Sequence, residues 1–236
     1  MIGHTLRTRL QNGERLLMVN AHHVSSGLVA RLCELGADTV FLDCEHGSAS
    51  FEDVRAMAAA ARGAGGAAIV RPQSHDRSLM IRYLNCGADG LMVPMVETAD
   101  QARAIVETVR YACPADYEKR LVIIMIETLQ AIANLDSILA VDGVDLIFIG
   151  PGDLSQSMGY LPSVPLGDER PQPVQDAVAD AVTKIRAAGK VAGTLVFEHE
   201  MERWVEAGVQ FFYIHSDPFL RSGLAKMRQL STSTMM

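Results

Sequence analysis

Eight short apolar segments alternate with helical patterns along this chain, and the alternation constrains the fold more than any other feature. Each segment is rich in Val, Ile, Leu or Phe, which is typical of strands buried on both faces of a parallel sheet. The predicted strands are Leu16–Asn20, Thr39–Asp43, Ala67–Arg71, Gly90–Pro94, Leu121–Glu127, Leu146–Gly150, Lys190–Leu195 and Phe211–His215. Eight strand–helix units predict an α/β protein with one (β/α)8 TIM barrel over residues 1–230 and a flexible tail at 231–236.

Helical patterns fill the gaps between these strands, and Gly follows several of them, as at many helix ends. They cover Ser26–Leu35, Phe51–Arg62, Arg77–Asn85, Ala99–Val109, Leu129–Leu139, Val174–Ala188, Glu200–Ala207 and about Phe219–Gln229. The rival fold, a doubly wound open sheet, carries a Gly-rich turn after its first strand, and Asn20-Ala21-His22-His23 is not one. The longest connection, Gly152–Pro173, is expected to be an irregular loop or a short helix over the barrel mouth.

A short pattern recurs before three of the strands. It reads Leu35-Gly36-Ala37-Asp38, Cys86-Gly87-Ala88-Asp89 and Val141-Asp142-Gly143-Val144-Asp145. Each copy marks a helix end that turns into a strand, at the barrel face that serves stability. We therefore expect Asp38, Asp89 and Asp145 to be structural.

Composition argues against several classes of function. The net charge of −7 comes without a cluster of Lys or Arg, so nucleic acid is not expected as a partner. No apolar run approaches ~18 residues, so no membrane partner is expected. The N-terminus lacks a basic region followed by a long apolar stretch, which predicts a cytoplasmic protein.

The four cysteines show no CxxC spacing, which predicts reduced, packed side chains. Cys44 is the one that stands among polar residues at a strand end. Its neighbours Asp43 and Glu45 are anionic and raise a thiol pKa, so a nucleophilic thiol is disfavoured.

Two carboxylates at strand ends suggest a metal site. Glu127 ends a long apolar run, where a carboxylate is costly unless it is paired or bound to a cation. Asp153 follows the next strand, at a predicted helix start. Carboxylates on adjacent barrel strands can share a hard divalent cation and leave positions for substrate oxygens and water. The alternatives are an ion pair for Glu127 and a helix cap for Asp153.

Arg71 and His46 are the candidates for anion stabilisation and proton transfer. Arg71 ends the third strand, where a guanidinium can hold a carboxylate or stabilise an enolate oxygen, or else pair with Glu45 or Glu127. His46 lies beyond a strand end beside Asp43, and imidazole is the usual general base near neutral pH.

Three further histidines follow strand ends. His22 and His23 come after the first strand, where only one of them can face the barrel axis, and a two-histidine metal site is the less favoured assignment. His215 ends the eighth strand and is a second candidate to line the mouth. No Gly-rich turns follow strands seven and eight, so a phosphorylated substrate is not favoured.

Taken in order, these strand ends resemble the HpcH/HpaI aldolase family, the metal-dependent class II pyruvate aldolases of the phosphoenolpyruvate/pyruvate barrel superfamily. The matching stretches cover most of the chain. They are Leu42-Asp43-Cys44-Glu45-His46, Val70-Arg71-Pro72, Leu91-Met92-Val93-Pro94-Met95-Val96, Ile126-Glu127-Thr128 and Phe148-Ile149-Gly150-Pro151-Gly152-Asp153-Leu154-Ser155.

The resemblance implies how these residues divide the work. Glu127 and Asp153 would bind Mg²⁺, Mn²⁺ or a similar ion such as Co²⁺ or Zn²⁺, and the cation would chelate a pyruvate-like donor. Backbone amides near Gly152 and Asp153 would hold the donor carboxylate. Arg71 would stabilise the enolate oxygen, and His46 would move a proton.

The resemblance also implies a reaction and an assembly. A 4-hydroxy-2-oxo acid would be cleaved to pyruvate and an aldehyde, or formed from them, without a lysine Schiff base. The chain would form a homo-oligomer, a hexamer or a trimer, with its C-terminal helix packed on a neighbouring subunit.

The sequence departs from the family pattern at several positions. Asn85 stands where the family usually has an Asp that makes the histidine more basic, so a weaker base is expected unless Asp43 compensates. Met125 replaces a substrate-contacting Gln, and a Gly/Arg-containing segment before the fifth strand is missing. His22 and His23 stand where the family tends to have aromatic or small residues.

Two other readings of the same residues stay open. One keeps the enolate site but changes the reaction to oxaloacetate decarboxylation or to cleavage of a CoA thioester. The other is a barrel that binds a small acid without turnover, which Asn85 and Met125 keep in play.

Overall fold

Eight parallel strands close into a barrel in the computed structural model, which describes residues 2–165 and 168–232. The strands are β1 (Leu16–Asn20), β2 (Thr39–Asp43), β3 (Ala67–Arg71), β4 (Gly90–Val93), β5 (Leu121–Ile126), β6 (Leu146–Ile149), β7 (Val191–Leu195) and β8 (Phe211–His215). Each strand pairs with the next in chain order, and β8 pairs with β1. The predicted (β/α)8 barrel is confirmed.

Four residues that the sequence predicts as strand ends lie just outside the sheet. Pro94, Glu127 and Gly150 directly follow β4, β5 and β6, and Lys190 directly precedes β7. Pro94 has no N–H to donate to a strand ladder. Glu127 and Gly150 therefore belong to the loops at the barrel mouth.

The helices surround the barrel and mostly match the predicted ranges. They are α1 (Ile2–Gln11), α2 (Ser26–Glu34), α3 (Phe51–Gly63), α4 (Arg77–Asn85), α5 (Ala99–Ala112), α6 (Leu129–Ala133), α7 (Leu135–Leu139), α8 (Pro151–Ser157), α9 (Gln172–Ala187), α10 (Met201–Glu206) and α11 (Asp217–Thr232). The single helix predicted over Leu129–Leu139 is interrupted at Asn134 and forms two short helices. The Asn134 side chain donates a hydrogen bond to the Glu97 carbonyl at 2.7 Å. The start of the long connection Gly152–Pro173 is helical, in α8.

Helix α1 is absent from the sequence prediction and closes the N-terminal end of the barrel. Leu6 and Leu10, one helical turn apart, are buried against the residues that fill the barrel interior, among them Leu16 and Leu121. A single apolar pair among polar residues gives little periodicity. The helix is therefore fixed by packing that a local pattern does not reveal.

Alternation along each strand separates two apolar layers. Side chains such as Met18, Phe41 and Ile123 fill the barrel interior. Their neighbours, such as Val40 and Ile124, pack outward against the helices. The side chains of both layers are apolar and buried. The polar residues that can take part in chemistry therefore lie at the strand ends.

The three aspartates at the strand starts are structural, as expected. Asp38 accepts the backbone N–H of Leu17, Asp89 that of Ala68, and Asp145 that of Val122, at 2.8, 2.9 and 2.8 Å. Each also pairs with an arginine; these are Arg9, Arg62 and Arg7. They join neighbouring strands at the barrel bottom.

Helix α11 ends the described chain and lies on the surface. None of its residues is buried, although several are large and apolar: Phe219, Leu220, Leu224, Met227 and Leu230. Two residues predicted as flexible tail, Ser231 and Thr232, belong to this helix, and residues 233–236 lie outside the described part. Among the described residues, no helix has the length and apolar character to cross a bilayer.

Candidate active site

Strand pairing brings Asp43 and Arg71 together at the barrel mouth. The two residues are register partners at the ends of β2 and β3. Arg71 donates from Nε and Nη2 to the two carboxylate oxygens of Asp43, at 3.0 and 2.7 Å. This two-point contact fixes the plane of the guanidinium. Arg71 is thus held in place before any substrate binds.

Asp43 also organises the loop that carries His46. Its Oδ1 accepts the backbone N–H groups of Glu45 and His46, at 3.1 and 3.2 Å. The turn then passes so close to Asp43 that a Cβ at Gly47 would lie 2.1 Å from the Asp43 carbonyl oxygen. Although burial opposes ionisation, Arg71 and the two N–H groups lower the pKa of Asp43. Asp43 therefore positions Arg71 and the His46 backbone, and none of the described hydrogen bonds joins it to the imidazole.

The imidazole of His46 is 66% exposed and touches Arg71. Arg71 Nη2 lies 2.9 Å from His46 Nδ1. Because a guanidinium only donates, Nδ1 must accept, and the neutral ring carries its proton on Nε2. His46 thus presents Nε2–H to the mouth. It can accept a proton at Nδ1 only by giving up the bond to Arg71.

Glu45 is a site residue that the sequence reasoning did not assign. Its Oε2 lies 3.1 Å from Arg71 Nε and 3.9 Å from His46 Nδ1. Burial raises the pKa of Glu45 against the opposing effect of Arg71. A proton on His46 Nδ1 would face this carboxylate, so Glu45 is placed to stabilise an imidazolium. Its position between Asp43 and His46 in the motif was the available signal.

The supporter expected for His46, Asn85, is not in contact with it. Helix α4 starts beyond the mouth end of β3 and runs back along the barrel, so Asn85 at its last position lies near the start of β4. The side chain is exposed, and none of the hydrogen bonds of the described residues joins it to His46. Support of His46 by Asn85 therefore stays a prediction, without a contact between the two residues in the described part of this chain.

Glu127 is a buried carboxylate with an unused oxygen. The residue is 1% exposed, and its Oε1 accepts the backbone N–H of Met95 at 2.6 Å, while its Oε2 has no partner. Burial is the main cause that raises the pKa of Glu127 to about 7. A Cβ at Gly150 would lie 2.5 Å from Oε2, so glycine keeps the space at that oxygen open. A buried orphan oxygen calls for a ligand.

Met95 adopts a strained backbone to reach Glu127. Its φ is 55°, a left-handed value that is uncommon outside glycine. Among the described residues, only His22 shares this feature outside glycine. Both lie just beyond strand ends at the mouth, where such strain is often functional.

Asp153 supplies the second carboxylate. It lies in the first turn of α8, directly after β6, and its side chain makes none of the hydrogen bonds found among the described residues. Its negative charge contributes to raising the pKa of Glu127, so the two groups lie within electrostatic reach. The predicted helix cap for Asp153 and the ion pair for Glu127 are both absent from the described structure.

The donor set fits a hard divalent cation. Two carboxylates with free oxygens, one of them buried, provide the negative charge that Mg²⁺ or Mn²⁺ requires. No group of three or more His, Cys, Asp or Glu side chains in the described ranges is arranged for a metal. Among the described residues, Glu127 and Asp153 are the two candidates to hold the ion, and two side chains would leave positions for substrate and water.

The opposite wall of the mouth carries a histidine pair. His22 Nε2 lies 2.7 Å from His215 Nδ1, and Tyr213 Oη lies 3.4 Å from the same nitrogen. Asn20 donates from Nδ2 to Tyr213 at 2.7 Å. The sequence placed His22 and His215 separately at the mouth, and β1–β8 pairing brings them together. His23 is exposed and outside this network.

One cavity of about 310 Å³ joins the two walls. Asp43, His46 and Arg71 line one side, and His22 and His215 line the other.

Cys44 is buried behind the mouth, where burial raises the pKa of its thiol to about 11. Cys44 is therefore not assigned as a catalytic nucleophile. Met125, which stands in place of a polar family residue, is buried in the barrel interior.

The comparisons with known proteins agree with these motifs. The hydroxypyruvate/pyruvate aldolase of Pseudomonas aeruginosa is 34% identical over 209 residues, 78% of this chain and 76% of its own. The 2-keto-3-deoxy-L-rhamnonate aldolase of Klebsiella pneumoniae subsp. pneumoniae is 31% identical over 245 residues, 93% of this chain and 90% of its own.

Solved structures show the same architecture. An HpcH/HpaI aldolase/citrate lyase family protein from Burkholderia cenocepacia J2315 matches with a TM-score of 0.83 and 25% identity, over 97% of this chain and 99% of that one. The family model described as HpcH/HpaI aldolase/citrate lyase matches residues 17–215. The resemblance drawn from the strand ends is confirmed, and the chain belongs to the HpcH/HpaI aldolase/citrate lyase family.

Proposed function

We propose that this protein is a metal-dependent aldolase that cleaves or forms 4-hydroxy-2-oxo acids through a pyruvate enolate. The unpartnered, buried Oε2 of Glu127, beside Asp153, carries the proposal. A divalent cation held by these two carboxylates would polarise the donor ketone and offset the negative charge of the enolate. The named relatives, which are aldolases, support the reaction class.

The chain's own residues handle the charge and the protons. In cleavage, the C4 hydroxyl loses its proton, the C3–C4 bond breaks, and its electrons pass into the enolate of pyruvate while the aldehyde leaves. Arg71, fixed by Asp43, donates to the developing enolate oxygen. The enolate carbon then takes a proton to give the methyl group of pyruvate.

His46 is the proposed proton carrier. It accepts the hydroxyl proton at Nδ1, releasing its bond to Arg71, and Glu45 stabilises the imidazolium from 3.9 Å away. In the addition direction the same proton returns to the new hydroxyl. Binding of the donor carboxylate by the Gly152 and Asp153 amides remains a prediction of the family resemblance.

Metal dependence can be tested directly. Purified protein should release pyruvate from a 4-hydroxy-2-oxo acid with Mn²⁺ or Mg²⁺ and lose that activity in EDTA. Glu127→Gln should lower the metal-dependent activity by about 10²–10³-fold, whereas Glu52→Gln, the same change on the exposed face of α3, should not. Activity that survives both EDTA and Glu127→Gln would overturn the proposal.

Oxaloacetate decarboxylation is the second candidate. It needs enolate stabilisation but no base to start the reaction. His46 Nδ1 is engaged by Arg71, and none of the described hydrogen bonds joins Asn85 to His46. His46→Ala should spare a decarboxylase and impair an aldolase. A CoA-thioester lyase is less well supported, because Arg71 is the only Lys or Arg that lines the 310 Å³ cavity.

Assembly and location complete the proposal. The exposed apolar residues of α11 support a homo-oligomer, a hexamer or a trimer, in which this helix packs on a neighbouring subunit. Light scattering after size exclusion should give a mass several times 25.6 kDa, and a monomer would contradict this. A single barrel domain in the cytoplasm remains the prediction made from sequence.

A further inference from the structure

The pair His22–His215 lies opposite His46 and Arg71 in the cavity and has no role in the proposed metal binding or proton transfer. His22 and His215 come from the ends of neighbouring strands, and their rings are 21° from parallel with centroids 4.7 Å apart. His22 holds a φ of 56°, and its backbone N–H is tied to Asn20 Oδ1 at 2.8 Å. The left-handed backbone of His22 thus places its ring against that of His215.

The two rings are linked by a hydrogen bond. A nitrogen–nitrogen distance of 2.7 Å requires one hydrogen between the rings, so one ring donates and the other accepts. Burial and the adjacent His22 hold the pKa of His215 at about 4, against the opposing charge of Asp217. Neither His22 Nδ1 nor His215 Nε2 has a hydrogen-bond partner among the described residues. The pair therefore offers two ring nitrogens that can hydrogen-bond a ligand in the cavity.

The charges around the cavity disfavour an acceptor substrate that carries a negative charge. Arg71 is the only Lys or Arg lining it, and two carboxylates, Asp43 and Glu45, already engage that guanidinium. Arg221 lines a separate pocket of about 360 Å³ that His22 and His215 also border. Within the 310 Å³ cavity that holds His46, a carboxylate on the acceptor would find no free cation, and desolvating it without a partner is costly. A hydroxyl group would find His22, His215 and Tyr213.

We propose that His22 and His215 form an acceptor subsite that hydrogen-bonds a hydroxyl group of an uncharged hydroxyaldehyde. The subsite faces the proton carrier His46 across one cavity. A site built to bond a hydroxyl discriminates against an acceptor that lacks it, because its polar atoms are then left unpaired. This inference rests on the proposed aldolase function and names the class of its second substrate.

The test measures additions of pyruvate to D-glyceraldehyde, propanal and succinic semialdehyde, with Mn²⁺ present. The first two share a three-carbon chain and differ in hydroxyl groups, and the third carries a carboxylate. The wild type should have its highest kcat/KM with glyceraldehyde. His215→Phe should lower the glyceraldehyde-to-propanal ratio about tenfold, through KM for the acceptor.

Control variants isolate the pair. His22→Asn, which tolerates the left-handed backbone, should lower the same ratio, and His215→Gln should retain part of it. His199→Phe, an exposed histidine outside the cavity, should leave it unchanged. Exchange of pyruvate methyl protons with D₂O reports the donor half-reaction without an acceptor, and it should persist in every variant.

The outcomes separate the two proposals. Unchanged ratios in His215→Phe and His22→Asn, or a wild-type preference for succinic semialdehyde, would overturn the acceptor subsite while leaving the aldolase intact. A wild type that neither exchanges pyruvate protons nor forms any aldol would overturn the proposed function, and the subsite with it.

Discussion

The two ends of this barrel use acidic residues in opposite ways. At the bottom, Asp38, Asp89 and Asp145 each accept a backbone N–H and pair with an arginine. At the mouth, Glu127 keeps one buried oxygen without a partner, and Asp153 has no side-chain hydrogen bond among those described. A satisfied carboxylate stabilises the fold, whereas an unsatisfied one waits for a ligand.

The contrast extends to arginine. The bottom arginines Arg7, Arg9 and Arg62 each bind two or three partners at the strand starts. Arg71 instead binds Asp43, Glu45 and His46 beside the cavity. These contacts use Nε and Nη2 of Arg71 and hold its guanidinium in a defined position, while Nη1 has none of them. The mouth therefore holds Arg71 in position for the proposed enolate oxygen, whereas the bottom arginines stabilise the fold.

The largest effect is expected from Glu127→Gln. Catalysis should fall by about 10²–10³-fold, because charge stabilisation at the enolate is lost. Without added metal the variant should be at least as stable as the wild type, since it removes a buried carboxylate with an unpartnered oxygen. Turnover assays and thermal melts check both points. A clear loss of stability would mean that Glu127 belongs with the structural carboxylates.

Asp145→Ala should give the reverse pattern. It leaves the Val122 N–H and Arg7 without their partner, which should lower the free energy of unfolding by about 3 kcal/mol. The folded fraction should keep its kcat, because the residue lies at the far end of the barrel. Urea titration followed by assay of the native protein measures each quantity. A lower kcat in fully folded protein would break the division between the two ends.

A smaller effect is expected from Asp43→Asn. The amide can keep part of the hydrogen bonding but loses the charge that holds Arg71, so kcat should drop about tenfold through looser positioning. Stability should change little compared with Asp145→Ala. Steady-state kinetics and melting curves distinguish this from a proton-transfer role, which would also shift the pH profile.

The last effect concerns pH and the metal-free protein, and it leaves the activity of the metal-bound enzyme untouched. Burial raises the folded-state pKa of Glu127 to about 7, above its usual value of 4.5. Between these values the unfolded chain binds fewer protons than the folded one, so stability falls as pH rises, by at most about 1.4 kcal/mol per pH unit. The wild type minus Glu127→Gln difference in unfolding free energy should show this slope. A difference that stays flat from pH 4.5 to 7 would contradict the burial of an unpaired carboxylate.

Local sequence pattern predicted the strands, most helices and the positions of the site residues, because apolar runs and strand-end polar residues are local signals. It did not predict α1, which is fixed by packing of Leu6 and Leu10 under the barrel. It also did not show that Asn85 ends α4 near the start of β4, since residue spacing does not show which end of the barrel a helix terminus reaches. The His22–His215 contact also needed the closure of β8 on β1.

Binding of Mn²⁺, followed by electron paramagnetic resonance, tests the central claim most directly. We expect one Mn²⁺ per wild-type chain, the same in Glu52→Gln, and loss of that site in Glu127→Gln and in Asp153→Asn. Asp145→Asn should retain it, since that carboxylate is already satisfied at the opposite end. Equal binding by the wild type and both mouth variants, or none by the wild type, would contradict the assignment of Glu127 and Asp153 as the metal ligands.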